Sequence, residues 1–202
     1  MRKRMYQVFL DTTGVRQGES ILDVGATSDQ SLESSNYLEA WYPHKGSITA
    51  VGIDDASFLE ELYPGMKFIS ANGLDLPFPD GSFDFVHSSA VFEHVGSEAC
   101  QKKFLAELFR VTRKSIFVTT PNRWFPVEFH TVLPLVHWLP KHSFRWLMNQ
   151  TGRSFFGDEK NLNLVGYSDL ARLCGELGIG QYRIRRLRLA GWTSNLVLYA
   201  KK

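Results

Sequence analysis

Strand-like and helix-like runs alternate along most of the chain, and this alternation constrains the fold more than any other feature. Short β-rich runs, several of them apolar at consecutive positions, occur at 20–25, 48–54, 66–71, 83–90 and 115–120. Consecutive apolar residues are typical of strands buried on both faces. Helical patterns lie between these runs. Strands that alternate with helices predict an α/β fold with a parallel sheet, right-handed crossovers and helices on both faces.

Three helices are predicted from apolar residues at helical spacing. The apolar positions are Tyr37, Leu38, Trp41 and Tyr42 in the first helix, Phe104, Leu105, Leu108 and Phe109 in the second, and Leu170, Leu173, Cys174 and Leu177 in the third. Ser97 is the expected N-cap of the second helix, whereas Ser168 and Asp169 begin the third and Gly178 ends it. Each apolar stripe can cover one face of the sheet.

The last segment departs from the alternation. Residues 181–190 and 194–202 are two strand-like runs, and the short turn between them leaves no room for a helix, so they are predicted to pair antiparallel. The apolar positions change phase between Ile184 and Leu187, which predicts a bulge or strand end near Arg185. The four arginines of this run are interpreted as charges that protect an edge strand, in preference to a phosphate site.

Composition narrows the classes of function. The 202 residues, 44% of them hydrophobic, fit one domain, and a net charge of +2 does not favour nucleic acid. Only Cys100 and Cys174 are present, too few for a disulfide framework, and a reducing cytoplasm is expected. The chain has no signal-peptide pattern and no apolar run long enough to span a bilayer, so it is expected to be soluble.

The turn after the first strand is the first candidate binding site, because ligands of open parallel sheets bind outside the carboxyl ends of the strands. Gly25 lets the backbone approach a ligand closely, and the N–H groups of Thr27 and Ser28, at an expected helix start, could hold a carboxylate or phosphate. Asp54, after the second strand, is placed to accept from ribose hydroxyls. The alternative is an ordinary turn glycine and a surface aspartate.

A longer set of motifs strengthens the first interpretation. The stretch ANGLDLPFPDGSFDFVHSSAVFEHV at 71–95, together with ILDVG, VGIDD and ELFRVTRKSIFVTTPN, closely resembles the class I S-adenosylmethionine-dependent methyltransferases, in their small-molecule, LPFPDGSFD-type branch. The likeness spans nearly the whole chain. It implies a single domain over 1–202 with a doubly wound, mostly parallel, seven-stranded Rossmann-like sheet, a C-terminal antiparallel hairpin and S-adenosylmethionine as cofactor.

The resemblance also implies a role for individual positions. The implied cofactor-binding residues are Asp23 and Gly25 at the methionyl end, Asp54 at the ribose, Asp55 and Asn72 at the adenine, Gly73 and Leu74 along the adenine through their backbone, and Ser88 and Ser89 with backbone facing the cofactor's amino group. Asn72 stands where the family often has aspartate, and its carbonyl can still accept the adenine amino group. The usual Gly-x-Gly-x-Gly is replaced by Gly25-Ala26-Thr27-Ser28-Asp29, so two glycines are missing.

His94, with Glu93 beside it, is the candidate catalytic base for an acceptor that must lose a proton. The alternative is that His94 packs the strand-to-helix turn. No metal is predicted, because one His and one Glu do not make a metal site without further ligands.

Residues 122–166, after the fifth strand, form an aromatic-rich insertion whose prolines exclude one long helix. This insertion could be a lid over an apolar acceptor, a surface that contacts a membrane through 122–148, a dimer contact, or a small extra core laid against the sheet. Arg123, Trp124 and His130 are the candidate substrate-binding residues, and His137 adds a further polar group.

The resulting prediction is a cytoplasmic methyltransferase that acts on a small-molecule acceptor, apolar or lipid-linked, with no nucleic-acid partner. The alternative is a non-catalytic S-adenosylmethionine-binding or interaction subunit with the same fold. A nicotinamide-dependent oxidoreductase is disfavoured, because residues 26–30 lack the glycines of its phosphate turn and the terminal hairpin would be unexplained.

Overall fold

A computed structural model describes residues 1–32 and 34–202 and contains one seven-stranded sheet. The strands are β1 (Ile21–Val24), β2 (Ile48–Gly52), β3 (Lys67–Ser70), β4 (Phe83–Ser89), β5 (Thr112–Pro121), β6 (Gln181–Leu189) and β7 (Trp192–Lys201). The helices are α1 (Arg2–Thr13), α2 (Tyr37–Trp41), α3 (Phe58–Leu62), α4 (Glu98–Val111), α5 (Lys141–Gln150), α6 (Ser154–Gly157) and α7 (Tyr167–Glu176).

The strand order is β3-β2-β1-β4-β5-β7-β6, with β1 to β5 parallel and β7 antiparallel to both of its neighbours. The predicted α/β fold with a mostly parallel sheet and a C-terminal antiparallel hairpin is thereby confirmed. The order changes direction between β1 and β4, because β2 and β3 lie on one side of β1 and β4 lies on the other. A crevice at this switch point is where open α/β sheets bind ligands.

Helices cover both faces of the sheet, as the apolar stripes predict. On one face, Leu105 of α4 and Leu170 of α7 are fully buried in a cluster with apolar side chains of β1, β4, β5 and β7. On the other face, Phe9 of α1 and Leu38 of α2 pack in a second cluster with Phe117 of β5. Ser97 caps α4 as predicted, because its hydroxyl accepts from the backbone N–H of Cys100.

The C-terminal hairpin corrects one prediction. Pairing is regular through Arg185, and the irregularity lies between Leu187 and Arg188. The change of apolar phase has another cause. Ile184 packs against the cluster on the α4 face whereas Leu187 belongs to the cluster on the α1 face, so a regular strand presents apolar residues on both sides. As the interpretation of its arginines expects, β6 is the edge strand of the sheet.

The turn of this hairpin is also tighter than the predicted connection from residue 190 to residue 194. β7 begins at Trp192, and only Ala190 and Gly191 connect the two strands. Both have positive φ, 49° and 86°, as the central residues of the two-residue turns that match strand twist do.

The insertion at 122–166 folds around a small apolar cluster of its own, formed by Phe144, Met148, Leu162 and Leu164. This arrangement agrees with the small extra core among the alternatives for this segment. Several large apolar side chains of the insertion remain exposed: Trp124, Val127, Phe129, Val132, Leu135, Leu139, Trp146 and Phe155. Within the part of the chain that the structure describes, no helix has the length and apolar character needed to cross a membrane.

Candidate functional site

A cleft of about 510 Å³ opens at the switch point, where β1, β2 and β4 end. The lining residues are Val24, Gly25, Ala26, Thr27, Val51, Gly52, Ile53, Asp54, Ala71, Asn72, Gly73, Leu74, Ala90, Val91, His94, Val95 and Phe104. The strand ends near Gly25, Asp54 and Asn72 therefore converge on one cavity. Six of the predicted cofactor positions and the predicted base His94 line it.

Gly25 makes the sharp turn at the floor of the cleft. Its φ of 115° lies in a region that favours glycine, and a Cβ at this position would overlap the Val91 side chain. The backbone N–H groups of Gly25 and Ala26 both donate to the Val51 carbonyl, at 2.8 and 2.9 Å. The turn is thus tied to β2 and keeps its path without the second glycine.

The following loop is held by Asn36, which sequence reasoning missed. The Thr27 N–H donates to Asn36 Oδ1 at 2.9 Å, and Asn36 Nδ2 donates to the Thr27 carbonyl at 2.9 Å. One expectation is corrected here. Thr27 and Ser28 do not stand at a helix start, because α2 begins at Tyr37 and the Thr27 N–H already has a partner.

The two acidic residues after β2 have different surroundings. Asp54 is exposed and lines the cleft, and no hydrogen bond to its carboxylate exists within residues 1–32 and 34–202. Asp55 does not line the cleft. Its carboxylate accepts from the Ser57 backbone N–H at 2.9 Å, and hydrogen bonds from Ser57 lower its pKa. Asp54 is therefore the carboxylate that a ligand can use.

Asn72, Gly73 and Leu74 form a turn along one wall. Asn72 Oδ1 accepts from the Leu74 N–H at 2.9 Å, which leaves this oxygen one further lone pair for a ligand. The ring of Phe104 from α4 lies under Gly73, where an added Cβ would come within 2.5 Å of ring atom Cε2. The turn thus lies directly on an aromatic ring that also lines the cleft.

His94 stands at the edge of the cleft and faces His130 of the insertion. Their Nε2 atoms are 3.1 Å apart, while His94 Nδ1 lies 2.6 Å from the Asn161 carbonyl and His130 Nδ1 lies 2.6 Å from Glu128 Oε1. Glu93 is fully buried beside them, and its Oε2 accepts from the Thr120 hydroxyl at 2.9 Å. The predicted base therefore belongs to a cluster of titratable groups.

Burial and neighbouring charges shift the pKa values of Glu93, Glu128 and His130. Burial raises the pKa of Glu93. Burial would also raise the pKa of Glu128, but hydrogen bonds from His130 and from the backbone of Thr131 lower it to about 2. Burial disfavours the charged form of His130, yet the Glu128 carboxylate outweighs it and raises the pKa of the imidazole. Glu128 is thus a fixed negative charge behind His130.

Arg123 and Trp124, predicted as substrate-binding residues, lie outside the cleft lining. The Arg123 guanidinium donates to the Leu139 carbonyl at 2.8 Å and borders a separate cavity of about 20 Å³ together with His137. Trp124 is half exposed, with the Arg123 guanidinium over its ring at 5.6 Å. Among the predicted substrate residues, His130 contacts a residue of the cleft, His94.

Residues 22–118 match the family described as methyltransferase domain. This match, together with the fold, supports membership of the class I S-adenosylmethionine-dependent methyltransferases. The matched range of this methyltransferase runs from β1 into β5 and contains the cleft-lining residues from Val24 to Phe104. No curated protein matches its sequence significantly.

Solved structures share the fold of this methyltransferase. One is an S-adenosylmethionine-dependent methyltransferase from Methanosarcina mazei, 20% identical over 96% of each chain, with a TM-score of 0.61. Another is the 1,6-didemethyltoxoflavin-N1-methyltransferase of Burkholderia thailandensis, solved with its acceptor and S-adenosylhomocysteine, 14% identical over 100% of this chain and 77% of that one, TM-score 0.65. A third is the magnesium protoporphyrin IX methyltransferase of Synechocystis with bound S-adenosylhomocysteine, 13% identical over 100% and 83%, TM-score 0.59.

Three predicted cofactor residues of the methyltransferase have side chains engaged elsewhere. The Asp23 carboxyl is buried against His87, its lateral neighbour on β4. The Ser88 hydroxyl donates to the Val24 carbonyl at 2.7 Å, and the Ser89 hydroxyl pairs with that of Thr119 at 2.9 Å. These side chains join β1, β4 and β5 behind the cleft, so any contact of Ser88 and Ser89 with cofactor would be made by their backbone, as predicted.

Asp23 belongs to a buried polar network on the α1 face. His87 Nδ1 hydrogen bonds with Asp23, and His87 Nε2 hydrogen bonds with the Tyr37 hydroxyl at 2.8 Å. Burial raises the pKa of Asp23 to about 7 and lowers the pKa of His87 to about 4. Burial, together with the charge of Asp23, raises the pKa of the fully buried Glu39 well above its ordinary value. At neutral pH His87 is therefore neutral, and burial disfavours the charged form of Glu39.

Ala90 and Val91 are further cleft residues, to which sequence reasoning assigned no individual role. Ala90 follows β4 with a φ of 57°, and its N–H donates to the Thr119 carbonyl at 3.0 Å. A positive φ at a non-glycine residue stores backbone strain, which is often found at functional sites. The turn after β4 consequently directs the chain from the sheet to His94.

We expect Asn36→Ala to weaken binding of S-adenosylmethionine about fivefold and to cost about 1–2 kcal/mol of the free energy of unfolding, because two hydrogen bonds to Thr27 are lost. Titration calorimetry and urea unfolding measure the two effects. Ser35→Ala is the matched control on the same loop, since among the described residues its hydroxyl donates to the exposed Asp29 alone, at 3.3 Å. Equal affinities of the two variants would contradict the role given to Asn36.

Proposed function

We propose that this methyltransferase binds S-adenosylmethionine in the switch-point cleft and methylates a small, apolar or lipid-linked acceptor that enters beside His94 and His130. The convergence of Gly25, Asp54 and Asn72 on one cavity carries this proposal. Three chain segments far apart in sequence supply a close backbone approach, a free carboxylate and an amide at the site where the fold places ligands. The neighbours from Burkholderia and Synechocystis, which hold S-adenosylhomocysteine, support it.

Each part of the cofactor would meet a different chemistry. Asp54 would accept hydrogen bonds from the ribose hydroxyls, since its carboxylate is exposed at the cleft. The turn of Asn72, Gly73 and Leu74, on the ring of Phe104, offers a flat apolar surface and an acceptor oxygen to the adenine. The methionyl end would then lie along Gly25 and Thr27, which directs the reactive end toward Ala90 and His94.

Orientation is the main contribution that these residues make to catalysis. S-adenosylmethionine supplies an activated methyl group when bound, and holding an acceptor in line with it can contribute about 7–11 kcal/mol. His94 Nδ1 faces a carbonyl oxygen, which only accepts, so the Nδ1 atom carries the hydrogen and the lone pair of the neutral ring is at Nε2. His94 is thus set to assist the loss of an acceptor proton, with Glu93 behind it.

The surroundings of His130 support an apolar acceptor. Phe129, beside His130, is 45% exposed, and Phe125 stacks on it with ring centroids 5.1 Å apart. Val132, two residues further on, is 72% exposed. These exposed apolar side chains lie next to a residue that contacts the cleft. They offer a surface for an apolar acceptor, or for the membrane that holds a lipid-linked acceptor.

Calorimetry and a turnover assay test the proposal. Wild-type protein should bind one equivalent of S-adenosylmethionine or, in a separate titration, one equivalent of S-adenosylhomocysteine. With methyl-labelled cofactor and an organic-solvent extract of cells, it should release S-adenosylhomocysteine and transfer label to the extract. A reaction with Asp54→Ala is the control for non-enzymatic transfer. Binding without turnover would favour the non-catalytic alternative, and label confined to water-soluble metabolites would contradict the apolar acceptor.

A further inference from the structure

Glu93, His94 and His130 each present one ligand atom to a common point at the edge of the cleft. The three atoms lie within 4.8 Å of one another. Glu93 and His94 come from the turn after β4, and His130 comes from the insertion 36 residues later. Sequence analysis predicts no metal because Glu93 and His94 are only two ligands, and the fold supplies the third.

The hydrogen bonds behind both imidazoles fix their tautomers. His94 Nδ1 faces the Asn161 carbonyl and His130 Nδ1 faces the Glu128 carboxylate, and both partners only accept. Each Nδ1 therefore carries a hydrogen, and each neutral ring has its lone pair at Nε2. These Nε2 atoms are 3.1 Å apart, so either a hydrogen on one of them or a cation bound to both lies between the two rings.

Glu93 supplies a third ligand atom, which faces the same point as the two Nε2 atoms. Its side chain is completely buried, and its Oε2 is satisfied by the Thr120 hydroxyl. Its Oε1 is buried and has no hydrogen-bond partner among the residues that the structure describes, and it lies 3.9 Å from His94 Nε2. A buried carboxylate oxygen without a partner is costly, and buried charges are otherwise paired or coordinate metals.

We propose that Glu93, His94 and His130 bind a divalent transition-metal cation, with Zn²⁺ as the expected occupant. Imidazole favours zinc over magnesium or calcium, which prefer oxygen ligands. Two nitrogen ligands of tetrahedral zinc are about 3.3 Å apart, close to the observed 3.1 Å. Glu128 and the Asn161 carbonyl are the outer groups that orient metal-binding histidines.

The site has three protein ligands, which leaves a tetrahedral cation one open coordination position. His94 also lines the cleft, so an acceptor bound there can reach that position. This step rests on the proposed function. The arrangement implies that the acceptor carries a hydroxyl group. Coordination through the hydroxyl oxygen lowers its pKa, and its proton leaves to water. The oxygen then forms a bond to the methyl carbon while the carbon–sulfur bond breaks and leaves its electron pair on sulfur. His94 thus assists deprotonation through the cation.

Calorimetric titration of chelator-treated protein with Zn²⁺ tests the site. Wild-type protein should bind one equivalent, and Co²⁺ in its place should give visible d–d absorption. His130→Ala, on the partly exposed insertion, and Glu93→Gln should each weaken Zn²⁺ binding more than about tenfold. His142→Ala is the matched control, because His142 is exposed and its side chain pairs with the adjacent Ser143 and with no other residue that the structure describes.

Absence of Zn²⁺ binding to wild-type protein, or wild-type affinity in His130→Ala, would overturn the metal site. Titration of the same samples with S-adenosylmethionine separates this outcome from failure of the proposed function. If the cofactor binds and Zn²⁺ does not, the metal site alone is wrong. If Zn²⁺ binds and the cofactor does not, the site stands and the proposed function is wrong.

Discussion

Asp54→Ala is expected to weaken binding of S-adenosylmethionine by more than about tenfold, with the free energy of unfolding within about 0.5 kcal/mol of wild type. The carboxylate is exposed at the cleft and makes no hydrogen bond to the residues that the structure describes, so the fold does not depend on it. Hydrogen bonds to a charged group contribute about 1.5–3 kcal/mol, and about 1.4 kcal/mol corresponds to a factor of ten in affinity. Calorimetric titration with the cofactor measures the loss.

Asp55→Ala is the matched control for this prediction. It removes the same charge one residue away, but Asp55 lies outside the cleft lining and its carboxylate is occupied by Ser57. Its affinity for the cofactor should stay within about twofold of wild type, apart from the small effect of an exposed charge. An unchanged affinity in Asp54→Ala, or an equal loss in both variants, would show that the ribose assignment is wrong.

The ends of the parallel strands are the part of the site that sequence reasoning places best. The runs ending near Gly25 and Asp54 alternate with helical stripes, and parallel strands bring their carboxyl ends to one edge of a sheet. The topology therefore brings Gly25, Asp54 and Asn72 together without knowledge of any side-chain contact. The same reasoning identifies the antiparallel hairpin, because a turn of a few residues cannot hold a crossover helix.

Contacts made by irregular segments were not predictable in this way. Asn36 holds Thr27, nine positions earlier in the chain, across a loop whose sequence has neither helical nor strand periodicity. His130 reaches His94 from an insertion whose path is set by prolines and local turns, and Glu128 and Asn161, which orient the two rings, lie in the same kind of segment. Periodicity carries no information about such paths.

Strand register is a second limit. The sequence places Asp23 at the cofactor. In the structure its carboxyl is buried against His87, because these two residues are direct neighbours in the β1–β4 pairing. A shift of one residue would place His87 on the opposite face of the sheet. The pairing of β1 with β4, 64 residues apart, could not be derived from either strand alone.

His87→Ala is expected to lower the free energy of unfolding by about 4 kcal/mol. The ring packs between Phe9 and Phe117, with centroids 5.2 and 5.7 Å away, so its removal leaves a cavity in a closed core. The substitution also leaves the buried Asp23 carboxyl and Tyr37 hydroxyl without their shared hydrogen-bond partner. Each buried polar group that loses its partner costs about 1–3 kcal/mol. Urea unfolding followed by circular dichroism measures the loss.

His142→Ala serves again as the comparison, because an exposed histidine on α5 should change the free energy of unfolding by no more than about 0.5 kcal/mol. A loss below about 1 kcal/mol in His87→Ala would mean that the network makes no net contribution to stability. Asp23 stands two residues before Gly25. Loss of the His87 partner should therefore also loosen the turn that forms the floor of the cleft. The folded variant should then bind the cofactor more weakly, because the buried polar network beneath α1 supports that turn.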